Sequence, residues 1–188
     1  YDNSATISNG LRAYFVWVRG DDHTYVNNEV NGSLHEHNIR IAGSSRVNIT
    51  GNDLRNHPKT TVWFMTGEHA WISQNTLRDG PVTIGPDPYL PPQSNRAKFG
   101  VHERNHHIKD TSGPAAIEFH HGAEDITVRN NLIEAHGQAC IDIAGWSNDQ
   151  QRTTRRVRIV NNTGVNDEIT GRFVDAEADT DDILVQNN

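Results

Sequence analysis

The stretch "VNITGN" at 47–52 decides how this chain is read, because the chain repeats it. Its pattern is an apolar residue, a spacer, a second apolar residue, two spacers and Asn. The same pattern reads "HTYVNN" ending at Asn28, "AWISQN" at Asn75, "ITVRNN" at Asn131, "VRIVNN" at Asn162 and "ILVQNN" at Asn188. A weaker copy, "VHERNH", puts His106 in the Asn place. Successive spacings are 24, 23, 31, 25, 31 and 26 residues. Two residues beyond the Asn an apolar position resumes, at Val30, Leu54, Leu77, Ile108 and Ile133.

A second strand falls about ten residues after most of the Asn positions. Its copies are "FVWVRG" (15–20), "IRIAGS" (39–44), "VWFMTG" (62–67), "VTIGPD" (82–87), "IEFHHG" (117–122) and "IDIAGW" (141–146). Strand side chains alternate between faces, so the residue between two apolar ones points outward. The outward residues make a ladder of Trp17, Arg40, Trp63, Thr83, Glu118 and Asp142. A second outward rung holds Arg19, Ala42, Met65, Gly85, His120 and Ala144. Inward positions in the first repeat include Ile49, Ile72, Val128 and Ile159.

A period near 25 residues is too short for a propeller blade, and it lacks the 3.6 periodicity of helical repeats. Leucine-rich repeats share the length and the Asn, but their leucine scaffold is missing. An Asn once per coil suits a bend between strands, and its amide can bond to the Asn of the next coil. The expected fold is all-β, a right-handed parallel β-helix of about seven coils, with residues 1–188 forming one domain. On these repeats the chain resembles the pectate-lyase-like superfamily of right-handed parallel β-helix proteins, over nearly all of residues 13–188.

Composition agrees with a narrow core. Only 34% of the 188 residues are hydrophobic, yet they sit in short alternating runs that disordered chains lack. A net charge of −7 without a basic stripe argues against a nucleic-acid partner. No run of apolar residues is long enough to span a membrane. Cys140 is the single cysteine, so no internal disulfide forms, and a buried structural thiol is expected. The chain begins at Tyr1 without a leader and stops in mid-coil with no cap at either end. It therefore reads as processed, or as part of a longer solenoid in which further coils or chains cover the ends.

The two long coils owe their length to insertions at 86–97 and 146–156, both leaving the end of the ladder strand. Insertions in solenoids commonly rise on the binding face, so these two would wall a groove along the ladder. In that groove Trp17 and Trp63 offer indole faces for sugar rings, and Arg40 between them offers a fork for a carboxylate. Glu118 and Asp142 bring like charges together on adjacent coils. Such a pair shares protons, holds a hard cation, or works as acid and base. His120 shares the strand of Glu118.

The resemblance implies an enzyme acting on an acidic polysaccharide outside the cell or in the periplasm, by β-elimination or epimerisation. A basic residue would take the proton beside the uronate carboxylate, and Ca²⁺ held by Glu118 and Asp142 would neutralise that carboxylate. Lys98, His102 and Arg104, after the first insertion, are the expected bases, with Arg40 in the ladder as a further candidate. Glycoside hydrolysis by the two carboxylates is the alternative chemistry. A noncatalytic β-helix module for binding or assembly is the alternative class. The His pairs at 35–37, 105–107 and 119–121 have no zinc spacing, and Arg152, Arg155, Arg156 and Arg158 read as a solvated cluster able to attract an anionic chain.

Overall fold

The structure is a computed structural model that describes residues 3–6, 15–32, 36–56, 59–86, 96–109, 115–120, 122–135, 137–143, 153–167, 171–177 and 180–188. Their strands pair in parallel throughout, each with the corresponding strand of the next coil. The result is a parallel β-helix with three faces. The first carries the ladder strands: Val16–Val18, the starts of Ile39–Thr50 and Val62–Ser73, Val82–Ile84, Ile117–Phe119, Ala139–Ile143 and Arg172–Ala176. The second carries the strands that lead to the repeated Asn, from Thr24–Val26 to Thr180–Gln186. The third is a seven-stranded sheet from Asn3–Thr6 to Thr163–Asn166. The first and second faces belong to one sheet because Ile39–Thr50 and Val62–Ser73 run through the bend between them.

The core is the set of inward positions stacked coil on coil. Val62 and Phe64 sit above Val82 and Ile84, then Ile117 and Phe119, then Ile141 and Ile143. All eight are 0–1% exposed. On the second face Ile49, Ile72, Val128 and Ile159 are buried, as the repeat requires. Cys140 is buried as well, and burial pushes its thiol up to about 11. Parallel strands buried in this way stabilise mainly through removal of apolar surface from water.

The Asn positions form a continuous hydrogen-bonded ladder. Asn28, Asn52, Asn75, Asn105, Asn131 and Asn162 each donate from Nδ2 to Oδ1 of the next Asn, at 2.7–3.1 Å, ending on Asn188. Each acceptor Oδ1 also takes the backbone N–H of the preceding ladder Asn. One member differs from the sequence expectation: Asn105, not His106, occupies the seventh place. The residue before each ladder Asn is left-handed, with φ of 52° at Asn27, 70° at Gly51, 55° at Gln74 and 54° at Arg104. The bend itself therefore falls on that preceding residue, and the ladder Asn contributes its side chain.

Shifting the seventh repeat by one residue turns every neighbour to the other face. His102 takes the inward slot between Ile72 and Val128, and His107 takes the slot between Leu77 and Ile133. Ile108, expected inward, is half-buried on the outer side.

Candidate functional site

The ladder on the first face is in register. Trp17 pairs with Arg40, Arg40 with Trp63, Trp63 with Thr83, Thr83 with Glu118 and Glu118 with Asp142. Asp175 continues it as the partner of Asp142. Neighbouring Cα atoms in such a row lie about 4.8 Å apart. The second rung is less regular, because a bulge around Ala42 and Gly43 offsets it so that Ala42 meets Thr66.

At the aromatic end the Arg40 guanidinium lies between two indoles, 5.0 Å from the Trp17 ring centroid and 4.8 Å from that of Trp63. Arg19 adds a second cation 4.3 Å from the Trp17 ring. Arg40 also donates from Nη2 to Sδ of Met65 at 3.0 Å. Trp63 departs from the expectation of an exposed row, since it is only 8% exposed against 45% for Trp17. The strand register is still the expected one, because Val62 and Phe64 on either side face the core. Its neighbours on the outer face cover Trp63: the His37 ring at 4.8 Å, the His120 ring at 6.3 Å, and Arg40. Its Nε1 donates to the Gly85 carbonyl at 2.9 Å. Gly85 has φ of 124°, and a Cβ there would meet the His120 carbonyl oxygen at 2.5 Å, so this tight corner needs glycine.

At the acidic end Glu118 and Asp142 are half-buried. Burial pushes the Glu118 carboxyl up to about 7, and Asp142 adds to the rise. The charge of Lys109 and a hydrogen bond from the Ala115 backbone pull the other way. Asp142 is pushed up to about 6 by burial and by the charges of Glu177 and Asp175. Both carboxyls thus exchange protons near neutrality, as acid–base chemistry needs.

Lys109 is the residue that sequence reading missed. It ends the strand His106–Lys109, is 4% exposed, and its Nζ has no hydrogen-bond partner among the described residues. Burial lowers its pKa, and Glu118 partly restores it. Only an inward slot filled by a polar residue, in "HHIK", could have signalled it.

The bases expected from the sequence do not gather here. Lys98 lies on the second face, paired with Glu68 and Glu124 and close to Asp125. His102 faces the interior and meets His107 there. Arg104 is exposed in the bend before Asn105. His120 stays on the first face, with its ring against Trp63. Arg155 and Arg156 are paired to Glu124 and Asp125 on the second face, which accounts for the basic cluster. Of the insertions expected at 86–97 and 146–156, residues 154–156 already belong to the strand Thr154–Val160, and most of the rest is 87–95 and 146–152, Arg152 included. Those two stretches, with Ala144 and His121, lie outside the described residues.

Among the described residues no group of three or more His, Cys, Asp or Glu is placed to hold a metal ion. Ca²⁺ takes six to eight oxygens, more than the carboxyls of Glu118 and Asp142 alone supply. Among the described residues no helix is long and apolar enough to cross a membrane.

A parallel coil with a stacked Asn ladder and an aromatic-to-acidic outer row defines a β-helix protein with one elaborated face. Residues 14–188 match the family described as the right-handed β-helix region, and the chain belongs to it. No curated protein and no solved structure matches the chain.

Proposed function

We propose that the first face binds an acidic polysaccharide and cleaves it through the paired carboxyls of Glu118 and Asp142. The observation that carries this reading is the unbroken row from Trp17 and Arg40 to Glu118 and Asp142, whose two carboxyls titrate near neutrality. Trp17 supplies an exposed apolar edge for a sugar ring, and Arg19 and Arg40 supply charge for uronate carboxylates. Glu118, about half protonated at neutral pH, can in its acid form give its proton to the glycosidic oxygen. Asp142, the stronger acid of the two and one strand spacing away, attacks the anomeric carbon, and the glycosidic C–O bond breaks with its electron pair on the protonated oxygen. Water, giving its proton to the Glu118 carboxylate, then displaces the Asp142 carboxylate, so the new C–O bond comes from water.

Elimination is the second reading, and Lys109 favours it, as a buried amine of lowered pKa beside Glu118. In that case the base removes the proton beside the carboxylate, the C–H electrons form a C=C bond, and Glu118 protonates the leaving oxygen. Incubation with a panel of polyuronates separates the readings. New reducing ends without an ultraviolet-absorbing product support hydrolysis. Reducing ends with an unsaturated uronate chromophore support elimination. Binding that Trp17→Ala weakens, without any cleavage, assigns a noncatalytic module.

A further inference from the structure

A second exposed indole lies on another face. Trp71, on the outward side of the second face, is 46% exposed, whereas Trp63 on the first face is covered. It pairs in register with Asn48 on one side and Val101 on the other. Together with Arg46, Asn48, Thr50 and His69 it lines a shallow concavity. We infer that this concavity is a second glycan site, for neutral sugar units, separate from the acidic-polysaccharide surface on the first face.

Three observations point to that ligand. First, the polar groups around the indole are arranged for hydroxyls. Thr50 Oγ1 donates to Asn48 Oδ1, and both side chains are only half-buried. An indole beside half-buried Asn and Thr side chains matches a pyranose, which has an apolar ring face and a hydroxyl rim. Second, the site is close to electrically neutral. Arg46 is the basic group in it, and Asp22 holds Arg46 at 2.6 Å while Asp21 lies at 3.5 Å. A uronate would therefore find no uncommitted cation. Third, the platform extends through Phe99, which is 45% exposed and stacks on the His69 ring at 5.1 Å with a 15° tilt. Phe99 has φ of 51°, a left-handed conformation that a bulky side chain adopts only at a cost. At the equivalent bend the neighbouring coils carry His69 and Asp125. An aromatic ring kept at a strained, solvent-facing position is better explained by contact with a ligand than by packing.

Calorimetric titration with cellohexaose, xylohexaose and mannohexaose tests the inference. Wild-type protein should bind at least one of them. Trp71→Ala should weaken that binding about tenfold or more, and Asn48→Ala should weaken it too, while Trp17→Ala on the first face leaves it unchanged. Phe99→Asn should weaken binding and raise the unfolding midpoint, because Asn tolerates the left-handed bend. That opposite pair of effects distinguishes a ligand contact from a packing role, and it holds even if Trp71→Ala proves poorly folded. Failure of all three hexaoses to bind overturns the inference, as does full binding by Trp71→Ala or by Phe99→Asn. A wild-type dimer in sedimentation velocity that Trp71→Ala dissolves would assign the face to a second copy of the chain instead. Failure here leaves the polyuronate result on the first face untouched, since the probes and the residues differ.

Discussion

Nε2 of His102 and Nε2 of His107 meet at 2.7 Å in the interior of the coil, one from the second face and one from the third. Their slots in neighbouring coils hold Ile72, Val128, Leu77 and Ile133. Burial depresses His102 to about 3, and burial with the charges of His102 and His106 holds His107 well below its ordinary value.

Acid lability follows from that pair. Both rings are neutral in the fold, whereas in the unfolded chain they take up protons near pH 6.5. The native state is therefore at full relative stability above pH 6.5 and loses it as pH falls, toward the folded value of about 3 for His102. The loss is about 1.4 kcal/mol per pH unit for each histidine. Urea unfolding at pH 7 and pH 5 should show the drop, and the double variant His102→Val with His107→Leu should flatten it. An unchanged slope in the double variant would place the acid sensitivity elsewhere.

Asn75 makes four ladder contacts: it donates to Asn105 Oδ1 and to the Ile49 carbonyl, and its Oδ1 accepts from Asn52 twice. Asn75→Ala should cost about 2–4 kcal/mol, because it strands buried donors and acceptors. Asn188→Ala should cost less, since Asn188 is exposed. Chemical denaturation of both variants gives the comparison.

Ile72→Ala opens a cavity at a position 2% exposed, and a loss of about 2–5 kcal/mol is expected. Trp63→Ala should also destabilise the protein measurably, by about 3 kcal/mol, because Trp63 is packed under His37, Arg40 and His120. Trp17→Ala should leave the unfolding midpoint nearly unchanged. Equal effects from the two tryptophan changes would contradict the burial seen on this face.

Glu118 offers a direct readout by carbon NMR of its carboxyl. Lys109→Met removes a positive charge and should raise the Glu118 pKa above about 7, while Asp142→Asn removes a negative charge and should lower it. The raised value also means that Glu118 favours the fold below pH 4.5 and that this benefit is gone above pH 7. Glu118→Gln should therefore stabilise the protein at pH 8, by up to about 3 kcal/mol. No titration change in either charge variant would remove Lys109 from the site.

Most of the fold was legible because parallel coils repeat one inward pattern, and "VNITGN" and its copies expose it directly. The reading slipped where the pattern is chemically disguised. At 101–106 a polar histidine, His102, fills the apolar slot, so the pattern matches one residue late and lands on His106 instead of Asn105. The site was less legible, because alternation says which way a side chain points but not what lies over it. Trp63 points outward as expected, and neighbours from three coils bury it. Lys109 was hidden because a lysine in an inward slot breaks the expected polarity. Lys98 and Arg104 follow the first insertion in sequence, but the bend carries them to a different face.

The Asn ladder has one further consequence. Its steps span 23 to 31 residues, yet every step closes with the same bond at nearly the same length. The ladder thus acts as a pawl that resets the winding once per turn. Coils of different length therefore close alike, and no error in pitch accumulates along the axis. Because every amide points the same way, the row also gives the solenoid a polarity. Loop length can therefore drift from coil to coil while the rows that line the outer faces stay in alignment.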